Sequence, residues 1–538
     1  MKLRRYYIGI FAMLLGLSSC SSFLEDYSQD KDYVRSWNDL NELLLGDCYM
    51  PVNSSGYFKD NNNVGTFIHL LSDEADSFNE AGGGYMGYGV IHYEFGYLTW
   101  QLRVGAKEDF TTFYSENTTW TRMYKYINVA NNVLESSKTI PQSTDDEIAG
   151  WNYVNGQAHF LRGWYYFWLT NMYGQPYQKA TAETDLAVPL KTSKEVEDIK
   201  FSRNTVQECY DQIVSDLLDA EKEITAAGGI NRKSTYRADS VSVQLLLSRV
   251  YLYMQNWEKA AEYAQKVIKN HGSLRDLNSD NSYFNAINNK ETIFTMGGDD
   301  LPTTLNNGYQ SISLTRDLYN AYSANDLRKK QWYWTNGNFV GVTKVDKDKS
   351  SYNAKENAAD WYNLKITETR GTQREVSSLF WLRAGEAYLN LAEAEAYMGH
   401  EDEAKKALNT LRENRYITGA KDADVTSTGT QLISDIRNER RRELACEGHR
   451  WFDLRRYRVC EVQPEKISIT HHFGFYKSDT DASDPLAIRT YVLPEDDPSW
   501  TMPIPNEVLT FNVGMQNNGN QKREYEGYVP GNESQTQK

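Results

Sequence analysis

Apolar positions recur at helical spacing through the middle of the chain. Between Asn204 and Ile224, the residues Val206, Tyr210, Ile213, Val214, Leu217, Leu218 and Ile224 fall three or four apart. That period predicts an amphipathic helix with one face buried and the other in solvent. A second run begins at Arg237 and passes through Leu245, Leu246, Leu247, Val250 and Tyr251 to Met254. After Gln255-Asn256 a third resumes at Trp257 and continues through Ala260, Ala261 and Ala264 to Ile268. So short a break folds the third run back on the second, predicting an antiparallel helix pair. A shift of 144 residues reproduces the plan: Leu391 stands for Leu247, Tyr397 for Tyr253, Gly399 for Gln255, Ala404 for Ala260 and Leu408 for Ala264. An earlier, less regular pair is predicted over Trp120–Leu134 and Gly150–Tyr173.

Small residues at Ala260 and Ala404, which let the second helix approach the first, and a turn of about three residues suit a tetratricopeptide-like hairpin. Between the hairpins the composition changes. Gly56–Gly105, Leu274–Thr372 and Ile467–Lys538 are rich in Asn, Gly, Tyr and Asp and show little helical period. Long irregular segments inside a folded protein are usually functional. The predicted fold is therefore mainly α: helical hairpins form a scaffold, and loop-rich segments carry the binding surface. Asn517–Lys538 is polar and is expected to be loosely ordered. No low-complexity linker divides the chain, so a single body is expected.

Composition narrows the function. With 40% apolar, 24% charged and 13% aromatic residues in 538, the chain is neither disordered nor fibrous. Its formal charge of −15 would repel phosphate backbones, which argues against nucleic acid as a partner. Thirty-eight Tyr and 13 Trp exceed what ordinary cores need and leave rings to serve as stacking platforms.

The N-terminus carries Lys2, Arg4 and Arg5, then an apolar run from Ile8 to Leu17 that is too short to span a bilayer. It ends in Leu17-Ser18-Ser19-Cys20, which resembles a bacterial lipoprotein signal. Residues 1–19 are thus expected to be removed and Cys20 acylated. The loss of three cations leaves 55 against 73 acidic residues, a charge of −18. No later segment is apolar enough to cross a membrane, so the acyl chains on Cys20 would be the anchor. Cys48, Cys209, Cys446 and Cys460 match no zinc ribbon and no CxxC pair, and no disulfide is predicted. Cys209 and Cys446 lie in helical patterns, where a buried free thiol is usual.

Several motifs fail on context. Gly82, Gly84 and Gly87 fit a dinucleotide fingerprint, but no hydrophobic strand precedes them and no helix start follows. Asp346, Asp348 and Ser350 resemble the opening of a calcium loop that lacks its glycine and its closing glutamate, so no metal site and no cofactor are assigned. No catalytic signature is present, and a glycosidase acid–base pair cannot be read from spacing alone.

The densest stretch is Ile436–Arg456, where Arg437, Arg440, Arg441, Arg442, Arg450 and Arg455 interleave with Glu439, Glu443, Glu447 and Asp453. Ion pairs three and four residues apart on one helix are favoured over a phosphate patch. Gly448 is expected to end that helix, with Trp451 and Phe452 pinning the next against the core.

This stretch resembles the arginine- and glutamate-rich signature of the SusD/RagB family, with Cys446 where an aromatic is common. The resemblance extends to Cys20-x-x-Phe23-Leu24, to Trp120 through Asn131, to Gln157 through Gly163 with Tyr173-Gly174-Gln175-Pro176, to Leu382 through Ala394, and to Met502 through Glu507. It spans the mature chain, as an N-terminal segment at about 23–230 and a C-terminal one at about 280–538. It implies a non-catalytic, surface-exposed outer-membrane lipoprotein of Bacteroidota that captures glycan and passes it to a TonB-dependent transporter resembling SusC. A lid for peptide or other nutrient uptake is the rival reading, and a glycosidase the third.

Sugars stack their C–H faces on aromatic rings and bind amides, carboxylates and guanidinium groups through their hydroxyls. Ligand-binding candidates are Asp73, Tyr97, Trp100 and Arg103 in the first irregular segment, with Tyr309, Trp332 and Trp334 in the middle one. For each ring core packing is the competing role, and for Asp73 a turn or cap.

Overall fold

A computed structural model of the chain describes residues 34–50, 64–77, 94–195, 197–230, 234–280, 284–297, 312–336, 339–342, 365, 376–475 and 487–530. Cys20, Tyr309, Gly82–Gly87 and Asp346–Ser350 lie outside them. The helices are α1 (Trp37–Asp47), α2 (Ile68–Leu71), α3 (Phe95–Leu98), α4 (Thr118–Ser136), α5 (Asp145–Tyr173), α6 (Val206–Ala227), α7 (Ser240–Tyr253) and α8 (Trp257–His271). After these come α9 (Arg316–Asn320), α10 (Arg328–Gln331), α11 (Ala384–Tyr397), α12 (Glu401–Glu413), α13 (Gly429–Glu443), α14 (Arg450–Arg458) and α15 (Asn506–Phe511).

The core is built around α5. Its first turn is fixed by a capping box between Thr144 and Glu147, and from Tyr153 to Tyr173 nearly every residue is buried. A helix apolar all round must be covered all round, and α1, α4 and α6 pack against it. Gly156 permits the approach of α6: a Cβ there would meet Ile224 at 2.6 Å.

The predicted repeat is present. Bounds of α7 shifted by 144 coincide with those of α11, and α8 and α12 begin at matching residues. Both turns use a left-handed residue at the equivalent position, Gln255 at φ 57° and Gly399 at φ 83°. Gln255 is held there by its side chain: Nε2 donates to Tyr177 O and Val459 O, and Oε1 accepts from the Glu461 amide. Ala260 and Ala404 are fully buried, as the close approach requires. Packing of α8 on α11 joins the two hairpins.

The irregular segments contain short strands that periodicity did not single out: β1 (Ala75–Ser77), β2 (Thr292–Thr295), β3 (Ile312–Leu314), β4 (Trp334–Asn336), β5 (Phe339–Gly341), β6 (Trp381–Arg383), β7 (Ile469–Phe475), β8 (Ala487–Leu493) and β9 (Gly527–Pro530). They form antiparallel pairs β1–β3, β2–β6 and β4–β5 and a three-stranded sheet β7–β8–β9. The last of these takes in Gly527–Pro530 of the tail expected to be loose.

The arginine-rich stretch departs from the expected ladder. Helix α13 ends at Glu443, short of Gly448, and Cys446 follows in a turn at φ 62° rather than in a helix. Most of its charges pair with distant elements. Glu443 accepts from Arg328 at 2.7 Å, Arg383 at 2.7 Å and Arg415 at 2.8 Å, all buried. Glu447 meets Arg383 at 2.9 Å and Lys365 at 2.7 Å. Only Arg442 with Glu439, and Arg456 with Asp453, keep an i,i+3 spacing within this stretch. Trp451 and Phe452 do pin α14, against Trp500 and Trp168. All four described cysteines are buried free thiols.

Candidate functional site

The two irregular regions named from the sequence meet beside α13. β1 pairs with β3, so that Asp76 faces Ser313, and Thr315 donates its hydroxyl to the Asp73 carbonyl at 2.9 Å. The Asp73 carboxylate is already engaged. Arg450 donates to both its oxygens at 2.7 and 2.9 Å, and Arg441 lies 3.1 Å away while also pairing with the exposed Asp317 at 2.7 Å. Burial would raise the Asp73 carboxyl, but the Arg450 guanidinium outweighs it and holds the group well below the usual carboxylate range. Asp73 thus ties the turn after α2 to the start of α14.

The rings named as platforms are turned inward. Trp100, at φ 48° and 2% exposed, donates its indole N–H to Leu71 O at 3.0 Å and stacks on His471 at 4.4 Å. Both His471 nitrogens lie against carbonyl oxygens, Leu98 O at 2.8 Å and Ser72 O at 2.9 Å. Trp332 is 1% exposed, packed on Phe284 at 4.6 Å with the Lys365 ammonium 4.2 Å from its centroid. Trp334 is buried in β4. Core packing, the competing role for each ring, is what Trp100, Trp332 and Trp334 perform. Where a core is assembled from loops, large rings supply it without any period, and the polarity of flanking residues reports only on the flanks.

Tyr97 is half-buried and stacked on Phe67 at 4.4 Å, and Arg103 donates to Glu116 at 2.7 Å beneath Phe113. Asp73, Trp100 and His471 therefore form one connected group, whereas Trp332 belongs to a separate aromatic cluster. Among the described residues, no group of three or more His, Cys, Asp or Glu is arranged to hold a metal ion.

A different set of side chains borders open space. Trp120 and Tyr124, one turn apart on α4, line a cleft of about 380 Å³ with Phe201, Val508 and Met515. Asn128, Glu195, Glu197 and Asn512 add polar groups. Trp120 and Tyr124 lie on a helical stripe that signals core packing, and the others are scattered from Asn128 to Met515. No local signal joins them.

Residues 262–521 match the family model described as the SusD family, and residues 94–252 match one described as "Starch-binding associating with outer membrane". A tetratricopeptide repeat model matches 242–273, across the α7–α8 hairpin. The SusD-like protein P2 of Formosa agariphila is 25% identical over 378 residues, covering 63% of this chain and 71% of that protein. Among solved structures, a SusD superfamily protein from Bacteroides thetaiotaomicron superposes with a TM-score of 0.64 at 22% identity, covering 90% of this chain and 99% of the other. A SusD-like carbohydrate binding protein from Bacteroides vulgatus gives 0.62 at 19%, covering 89% and 97%. Two family models together reach from residue 94 to 521, the hairpin scaffold agrees with them, and the chain belongs to the SusD/RagB family.

Proposed function

We propose that this protein is a carbohydrate-binding lipoprotein of the outer membrane that captures oligo- or polysaccharide without cleaving it and delivers it to a TonB-dependent transporter resembling SusC. The observation that carries this reading is the match of residues 94–252 to a family described as starch-binding and associated with the outer membrane. The acylation signal at Cys20 supplies the attachment, and no helix of the described residues is long and apolar enough to cross a membrane.

Capture without chemistry suits a chain in which the most strongly lowered of the described carboxylates are tied into ion pairs with arginine. Glu393, Glu439 and Glu443 all contact guanidinium groups inside the protein, where no substrate reaches them. The test is to titrate the purified mature chain with a panel of glycans by calorimetry and to examine each mixture for new reducing ends. Binding without product supports the reading. Product formation, or retention of peptides and no glycan, overturns it. Co-purification with a barrel transporter from outer membranes tests the delivery step.

A further inference from the structure

We infer that the cleft between α4, the segments 189–195 and 197–201, and α15 is a carbohydrate-binding site selective for uncharged oligosaccharide chains; this rests on the glycan reading above and assigns it a place and a ligand class.

Its volume of about 380 Å³ falls within the usual range of small-molecule pockets, roughly 300–1,000 Å³. The wall combines what a sugar needs. Tyr124 and Phe201 supply ring surface for C–H faces, and Trp120, 7% exposed, backs Tyr124 from the core with centroids 5.1 Å apart. Asn128 and the two glutamates supply donors and acceptors for hydroxyl groups. The wall is also fixed in place before any ligand arrives. Tyr124 donates to Pro189 O at 2.6 Å, Asn131 to Lys191 O at 2.8 Å, and Tyr166 to the same carbonyl at 2.7 Å. Across the cleft, the Phe201 amide donates to Asn512 Oδ1 at 3.1 Å, coupling the two opposing segments. A wall ordered in advance loses little conformational entropy on binding.

Charge decides the ligand class. Glu195 and Glu197 border the cleft, and the one lysine there, Lys191, folds its ammonium back onto Ser193 Oγ and O at 3.0 Å and onto Glu195 O. A sulfated or uronate chain would meet two carboxylates and an ammonium already satisfied, in a protein of net charge −15. An uncharged chain avoids that repulsion.

Geometry argues for a chain rather than a single sugar. Phe201 and Met515 also line a neighbouring cleft of about 410 Å³ with Ser202, Gln516, Lys200 and Arg203, the last already bonded to the carbonyls of Tyr173, Leu186 and Ala187, so the exclusion of anionic chains is the work of the first cleft. A ligand crossing that ridge would occupy both. Val513, which lines this second cleft, is 67% exposed.

The test is calorimetric titration of the mature chain and of Phe201→Ala, Asn128→Ala and Glu197→Gln. Probes are maltoheptaose, laminarihexaose, cellohexaose and xylohexaose, with hexagalacturonate and a chondroitin sulfate hexasaccharide as anionic counterparts. One neutral chain is expected to bind, with affinity reduced about tenfold in Phe201→Ala and Asn128→Ala while thermal melting is retained. If Phe201→Ala does not fold, the two surface polar variants carry the result. Neutral binding that survives within about twofold in all folded variants overturns the cleft and leaves the glycan reading standing. Binding of only the anionic probes overturns the ligand class, and binding of none overturns both readings.

Discussion

Glu443 and Arg383 stand 60 residues apart in the sequence and meet in the interior, where Glu443 Oε1 accepts from Arg383 Nη1 at 2.7 Å. Arg383 closes β6 and leads into α11, while Glu443 ends α13, so one contact binds the second hairpin to the signature helix. Arg328 and Arg415 converge on the same carboxylate.

Removing that carboxylate leaves three buried guanidinium groups short of a partner. Glu443→Ala is expected to cost about 3–5 kcal/mol, the range found when one member of a buried ionic network is deleted. Urea unfolding gives the cost, and glycan titration of the folded fraction gives the control. A variant with unchanged unfolding midpoint and abolished binding would contradict the structural role assigned to Glu443.

Stability should depend on pH through His449. Burial, followed by the fields of Arg249, Arg440, Arg383 and Arg456, holds its imidazole well below the usual histidine range. The folded ring is neutral, whereas the unfolded one gains a proton below about 6.5. The unfolded chain then binds more protons, so this contribution is complete above about pH 6.5 and is lost as pH falls toward the folded value. Carboxylates act in a lower window. Burial opposes ionisation of Glu393, but Arg456 outweighs it and lowers the group to about 2, so its contribution persists above about pH 4.3 and fades below. Melting scans from pH 7.5 to 3 should show two declines, the first removed in His449→Gln. An identical first decline in that variant would reject the assignment.

Burial converts the aromatic candidates into stability predictions. Trp100→Ala deletes a stacked indole and its bond to Leu71 O, and Trp332→Ala empties a site against Phe284. Each is expected to destabilise by about 3–5 kcal/mol while the folded fraction keeps its glycan affinity. Unchanged melting with lost affinity would restore these rings as binding platforms.

Attachment is tested separately from binding. Cys20→Ala should move the protein from membrane to soluble fractions after cell disruption, in a strain lacking the transporter. Retention in the membrane pellet would rule out the acyl anchor.

Legibility differed by element for physical reasons. The α7–α8 and α11–α12 hairpins were readable because a two-sided helix imposes a period on its own residues, and because the 144-residue shift states the plan twice. Strand β7 was not, although its residues alternate: Ile469, His471 and Phe473 point inward between more open neighbours. A buried histidine in an inward position disguises that alternation.

What the sequence determined by itself was local and periodic: the helical scaffold, its repeated register and the family signature. Tertiary structure alone decided where the rings face and which charges meet. Trp100 and Phe201 are equally aromatic in the sequence, yet one is enclosed by His471 and Leu71 while the other lines a cleft. Glu443 has arginines beside it along α13, yet its partners Arg328, Arg383 and Arg415 come from three other segments. Burial and ion pairing are relations between segments that the fold brings together, and a one-dimensional pattern carries only the relations within a segment.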